Sequence, residues 1–147
     1  MTRQLLLILS TLSAVILFSG CTSNTGIKHY NINQALNAMP SKVKNKTGEF
    51  KFYFGDDSIP FLAEKLGEIQ TTNRTNAFAK EPLISCNWVF YSALLDLKAQ
   101  SLKLGGNGVA NINSNWKNNI YSSSTEYVCD NGLWMSGVAL LGTAIKQ

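Results

Sequence analysis

Histidine, cysteine, proline and charge are all scarce in this chain: one histidine, three cysteines and three prolines in 147 residues, with 15% of side chains charged. The lone His29 argues against nucleophilic hydrolases, because a serine or cysteine nucleophile needs a base within hydrogen-bond reach. This histidine stands in a polar N-terminal segment, outside the region that reads as folded. No zinc-type cysteine pair and no G-x-x-x-x-G-K-[ST] phosphate loop is present. Neighbouring Asp56 and Asp57 lack the glycine and acid spacing of an EF-hand and read as turn formers. Asp96, Glu126 and Asp130 are candidates for a glycosidase pair only as the acids of any chain would be. Asp96 reads as a solvated helix residue and Glu126 as the cross-strand partner of a lysine. Long hydrophobic runs are missing too: Leu5 to Phe18 and Leu133 to Ile145 both fall short of the ~20 residues that span a bilayer as a helix. These absences lead to the expectation of a non-enzymatic protein with no cofactor and no metal.

What is present begins with an address. Met1 to Gly20 carries a basic start at Arg3, an apolar run and then small residues, the layout of a secretory signal. It leads into Phe18-Ser19-Gly20-Cys21, which resembles the lipobox of bacterial lipoproteins, with Phe18 where the pattern prefers leucine. The resemblance implies that Cys21 is acylated and becomes the mature N-terminus, held by three acyl chains where one alone would bind only marginally. Thr22 follows the cysteine instead of aspartate, which by the enteric sorting rule implies the outer membrane, with the protein facing the periplasm.

Residues 22–48 are rich in Asn, Ser, Thr and Lys and read as a flexible tether, with at most a marginal helix over Asn33 to Met39 before Pro40. Its charge is one-sided: Lys28, Lys42, Lys44 and Lys46 with no acid, whereas residues 47–147 hold eight basic and nine acidic side chains. A nucleic-acid-binding domain would carry its lysines and arginines on the folded face, so no nucleic acid is expected as a partner. The basic tether could touch anionic lipid or cell-wall polymer, or be merely solvated. Beyond it, Cys86 and Cys129 are the only cysteines left once Cys21 is acylated, and an exported location is oxidising. A Cys86–Cys129 disulfide is therefore expected; the alternative is a small-ligand or metal-binding module that uses both as reduced thiols.

The folded domain is expected over residues 49–147, organised around one helix. From Asn87 to Leu104 the residues Phe90, Leu94, Leu97, Ser101 and Leu104 recur at three and four, with Leu95 and Leu102 widening the stripe. Asn87 is the expected N-cap, and Gly105 the left-handed residue that closes the helix. Phe50, Phe52 and Phe54 alternate with Lys51 as a half-buried strand, followed by a turn at Gly55 to Ser58. A helical turn over Pro60 to Lys65, a strand over Leu66 to Gln70 and an exposed connection over residues 71–85 follow. After the helix, Gly108 to Asn115 and Tyr121 to Cys129 read as strands joined by a turn at Trp116 to Asn119. Asp130-Asn131-Gly132 is a tight-turn signal, and Leu133 to Ile145 reads as a central strand buried on both faces.

Two groups of side chains suggest a contact surface. Trp88, Tyr91, Trp116, Tyr121, Tyr127 and Trp134 could form a platform for a sugar, although cover for the core is the favoured reading. Asn111, Asn113, Asn115, Asn118 and Asn119 give a polar face that is either a contact surface or a solvated strand edge.

The segment Leu104-Gly105-Gly106-Asn107-Gly108-Val109-Ala110-Asn111-Ile112, with Ser124 to Cys129 and Gly137 to Thr143, resembles a family of small bacterial envelope proteins related in fold to the stress sensor RcsF and to the YbjQ-like proteins labelled heavy-metal binding. Relatives in that family often carry the name of the ABC excinuclease, which the missing phosphate loop and zinc cysteines contradict here. The resemblance implies an α+β fold, a small twisted, mainly antiparallel sheet on one long helix, with the Gly105-Gly106-Asn107 turn passing the helix into a strand beneath it. It further implies envelope-stress sensing or envelope maintenance through partners that are envelope proteins or cell-wall material. Ring-shaped oligomers of YbjQ type are its second implication. The departures are a single available disulfide and a linker with only Pro40.

Overall fold

The computed structural model describes residues 25–147; the signal-like segment, Cys21 and Thr22 lie outside the described residues. The fold is α+β, a curled and mainly antiparallel sheet with one long helix. In chain order the elements are β1 (Gly26–Asn31), α1 (Ile32–Asn37), α2 (Ser41–Thr47), β2 (Lys51–Phe54), β3 (Glu64–Asn76), α3 (Pro82–Lys103), β4 (Gly108–Trp116), β5 (Asn119–Tyr121), β6 (Glu126–Asn131) and β7 (Met135–Lys146).

Strand β7 is the centre, paired along both edges, but the expected burial on both faces is met on one only. Val138, Leu140 and Ala144 are buried toward α3, whereas Leu141 and Thr143 on the other face are half-buried because, among the described residues, no helix lies over them. It pairs antiparallel with β3 from Glu64↔Lys146 to Asn76↔Met135, and on its other edge with β4 and with the end of β6. Strand β1 lies outside β6, while β5 and the parallel strand β2 lie outside β4. Helix α3 covers one face. Val89, Phe90, Leu94 and Leu97 are fully buried there against Val109, Ile112, Val138, Leu140 and Ala144. The Phe90 ring stacks on Tyr127 with centroids 4.1 Å apart.

Pro82 at the first position starts α3, where its missing N–H is no loss and its fixed φ is already helical. The helix therefore begins five residues before the expected N-cap: Asn87 sits inside it, and Glu81 precedes it without a side-chain cap bond. Phe90, Leu94, Leu97 and Ser101 are buried as the spacing predicts, but Leu102 and Leu104 are about half exposed. Gly105 takes φ +82, and at Gly106 a Cβ would collide with Ser101 Oγ and the Ile145 carbonyl. The Asn107 N–H then donates to that carbonyl at 3.0 Å, which sets the chain into β4.

Residues 26–48, expected as a flexible tether, are instead part of the fold. Strand β1 pairs with β6 from Gly26↔Asn131 to Asn31↔Glu126. Asn31 caps α1 by accepting from Gln34 N at 2.9 Å. Ile32, Ala35, Met39 and Val43 are buried in the main core, and the Tyr91 hydroxyl donates to the Ala35 carbonyl at 2.7 Å. Pro40 ends no element; it precedes α2 as its cap residue. The helical turn expected over Pro60 to Lys65 is replaced by turn and strand, and the connection expected over residues 71–85 is the second half of β3 followed by the start of α3. Thr71, Thr72 and Thr75, β-branched and paired on one edge only with β7, favour strand over loop. The expected return strand over Tyr121 to Cys129 is split into β5 and β6 by Ser122 to Thr125, and β6 continues to Asn131 before the turn.

Candidate functional site

Successive residues of a strand point to opposite faces, so the side chains not turned to α3 form a second face. On β3 these are Glu68, Gln70, Thr72 and Arg74; on β7, Ala139, Leu141 and Thr143; on β4, Asn113 and Asn115. Among the described residues no helix covers this face. It carries two adjoining cavities that share Gln70: one of about 560 Å³ reaching Asp56, Asn111 and Ile120, and one of about 410 Å³ reaching Trp116, Lys117 and Asn118. From Glu68 to Arg74 the pair spans about 20 Å at ~3.4 Å per residue. Asp56 and Glu68 stand toward one end, and Arg74 and Lys117 toward the other, where Asp130 offsets Lys117.

Asn113 is 5% exposed, donates through Nδ2 to Asp56 Oδ1 at 2.7 Å, and leaves its buried Oδ1 without a hydrogen-bond partner among the described residues. A buried acceptor left unpaired costs roughly 1–3 kcal/mol. Asn111 adopts φ +50 at an irregularity in the β4–β7 register. Its N–H donates to Ser58 Oγ at 2.7 Å and its Oδ1 accepts from Ser58 N at 3.0 Å, so it clamps the loop that carries Asp56 to the sheet. At the other end Trp116 packs its ring over Gly137 and donates from Nε1 to Asp130 Oδ2 at 2.9 Å. The Arg74 guanidinium lies 5.5 Å from the Trp116 ring centroid and Lys117 Nζ 5.9 Å. Lys117 also pairs with Asp130 at 3.2 Å.

Three of the four residues singled out as a contact surface thus share this face: Asn111, Asn113 and Trp116. Trp88 does not; it is half exposed on α3, in edge contact with Tyr91. Trp116 is no open platform for a sugar, since it is buried beneath its cationic neighbours, and the other aromatics are dispersed. Trp134, expected to close the core, is exposed and stacked on Phe78. Cys86 and Cys129 are joined as a disulfide and fully buried between α3 and β6. The Gly105-Gly106-Asn107 turn lies at the far end of α3, where Asn107 is tied to Gln147 on both its Nδ2 and Oδ1.

The three acids weighed for a glycosidase are engaged separately. Asp96 accepts from Asn73 Nδ2 at 2.6 Å on the α3 side. Glu126 accepts the Tyr121 hydroxyl at 2.8 Å and lies 3.7 Å from His29 Nδ1, not from a lysine. The Glu126 bond raises the Tyr121 phenol above its ordinary range, with burial and the Glu126 charge adding to it. Glu126 and Asp130 share a face of β6 but stand four residues apart, about 13 Å along the strand, beyond the ~5–10 Å at which paired carboxylates work. His29 lies in β1 against the Tyr121 ring, 4.4 Å between centroids. Among the described residues no group of three His, Cys, Asp or Glu could hold a metal ion.

The sequence pattern did not single out Glu68, Gln70, Thr72 and Arg74. Their period-2 spacing was the available signal, hidden because their alternates, Thr71 and Asn73, are polar as well. The chain matches no protein-family model, no curated protein and no solved structure.

Proposed function

We propose that the protein is a non-enzymatic lipoprotein of the bacterial outer membrane, anchored through acylated Cys21 with its disulfide-closed domain in the periplasm. The open face of the sheet docks an envelope protein or cell-wall material there, in envelope-stress sensing or envelope maintenance. The resemblance to RcsF and YbjQ-like proteins is one of sequence pattern, and it suggests the class of role, not the partner. The observation that carries the reading is the groove. The side-chain amides of Gln70, Asn111, Asn115 and Asn118 range along it, with Glu68 toward one end and Arg74 toward the other, a polar surface open to a partner.

A second reading, a small-ligand module of YbjQ type, is favoured by the cavity of about 560 Å³, within the ~300–1,000 Å³ common for ligand sites. Its metal version through reduced thiols loses its ligands, because Cys86 and Cys129 are spent on each other. A photo-cross-linker at Thr72, in the groove, against one at Ser92, exposed on α3, tests the proposal in intact cells. Mass spectrometry should find a discrete envelope component captured from Thr72 alone. Equal capture from both positions, or none from either, removes the groove as the docking surface.

A further inference from the structure

The chain enters the fold at one end of the sheet, and several elements converge on that end. Gly26 pairs with Asn131, Asn131 pairs with Ser136, and Ser136 Oγ lies 2.8 Å from Ser85 Oγ in the first turn of α3. Strand β3 finishes there too: Asn76 pairs with Met135, and the Ala77 N–H donates to the Trp134 carbonyl at 2.8 Å. Around this edge a set of apolar side chains is left in the open. Phe78 and Trp134 are 57% and 66% exposed and stacked on one another at 4.9 Å, with Leu133 beside them. Leu83 and Ile84 stand on the first turn of α3, and Trp88 one turn further.

Strand β1 begins at Gly26, so only five residue steps separate it from Cys21. Fully extended they reach at most ~18 Å. A domain anchored at Cys21 is therefore kept within ~18 Å of the bilayer, with this end nearest to it. We propose that the end formed by Phe78, Trp134, Leu133, Leu83 and Ile84 rests in the headgroup and acyl boundary of the membrane. The inference rests on the acylation of Cys21 proposed above. Tryptophan prefers that boundary, where its ring is buried and its N–H stays wet, and phenylalanine and leucine insert beside it as apolar surface. Each inserted apolar side chain then adds to the anchor in proportion to its buried area. The contact is chiefly apolar, since the few charges at its rim are of both signs, Lys28 and Glu81 beside Leu83 and Lys80 next to them. The lysines of α2, which a flexible tether would have brought to the membrane, lie elsewhere: α2 ends against Lys98, which donates to the Lys46 carbonyl at 2.7 Å. Lys98 is about 24 Å along α3 from Pro82. The opposite pole, where Glu64 pairs with Lys146, carries the fully exposed Phe61 and faces away from the membrane.

The test uses the full-length lipidated protein, reconstituted into phosphatidylcholine vesicles with brominated acyl chains and read by tryptophan fluorescence. Bromine should quench the wild type, Trp134→Phe should lose most of that quenching, and a reporter at the far pole, Phe61→Trp, should add emission that bromine leaves untouched. High salt should change none of this. The mass of the same sample reads acylation separately. Acylated protein without quenching, or with Phe61→Trp quenched as strongly as Trp134, overturns the membrane-facing end and leaves the anchor standing. Absent quenching together with cross-linked dimers assigns the apolar end to a second copy and overturns the proposal equally. Protein without acyl chains overturns the anchor reading, and this inference with it.

Discussion

The Tyr127 hydroxyl of β6 donates to Asn87 Oδ1 of α3 at 2.7 Å, and the Tyr127 ring, 1% exposed, lies under Phe90. Burial pushes this phenol far above its ordinary range, and the neighbouring hydroxyls of Tyr30 and Tyr91 push it further. In the unfolded chain Tyr127 ionises near pH 10; in the folded protein it stays neutral well beyond that. A group whose folded pKa is raised contributes stability that is complete below the unfolded value and is lost as pH rises toward the folded one. Stability should therefore be flat through pH 9 and fall above pH ~10, by up to ~1.4 kcal/mol per pH unit for this group. Urea unfolding at pH 8 and pH 11 measures it. Tyr127→Phe should cost about 1 kcal/mol at pH 8 through the lost hydrogen bond, yet show a shallower alkaline fall. An unchanged fall in the variant would assign the alkaline sensitivity to other tyrosines.

The disulfide makes the second prediction. Cys86 and Cys129 are 43 residues apart in sequence and fully buried. Closing a loop of that size in the unfolded chain is worth about 4 kcal/mol in the chain-entropy model. Cys86→Ala/Cys129→Ala should lower the urea midpoint by a corresponding amount, and reductant should shift the wild type but not the double variant. A reductant effect on both would place the sensitivity outside this bond.

Gly137 is the floor on which Trp116 lies: a Cβ there would collide with the indole. Overpacking a rigid ring against backbone costs ~1–3 kcal/mol. Gly137→Ala should therefore destabilise the protein by that amount and push Trp116 outward, breaking its bond to Asp130 Oδ2 and shifting its emission to the red. Since Arg74 and Lys117 are seated on that ring, capture from a cross-linker at Thr72 should weaken in the same variant. Unchanged emission and stability would mean that the backbone of β7 yields easily.

These positions also show which features could be read in advance. The α3 stripe of Phe90, Leu94 and Leu97, the apolar run of β7, and a pair of cysteines downstream of a signal-like segment each carry a strong one-dimensional signal. The helix start is displaced from its expected place because Asn87 is a good cap by type, whereas Pro82 at the first position decides the matter through backbone geometry. The groove is half legible: Asn111 and Asn113 stand out by composition, but Glu68 and Arg74 join them only through the β3–β7 pairing. Such long-range pairing leaves no local trace when both faces of a strand are polar.

Residues 26–48 give the last prediction. Ile32, Ala35, Met39 and Val43 recur at helical spacing and are all buried, yet lysines and asparagines dilute the pattern to the composition of a linker. If this segment is structural, a chain starting at residue 49 should fail to fold. It would leave β6 as an unpaired edge, uncover Tyr127, and strip the cover from the disulfide. A milder variant separates loss of this contact from general collapse. Tyr91→Phe removes only the bond to the Ala35 carbonyl and should cost ~1–2 kcal/mol, including the orphaned buried carbonyl. Its amide protons in α1 should exchange faster while those of β7 stay protected, because local opening precedes global unfolding wherever an element is held by few contacts. Limited proteolysis should then cut the Tyr91→Phe variant near Pro40 before any other site, and leave the wild type intact there. Rapid cleavage of the wild type within residues 26–48 would restore the tether.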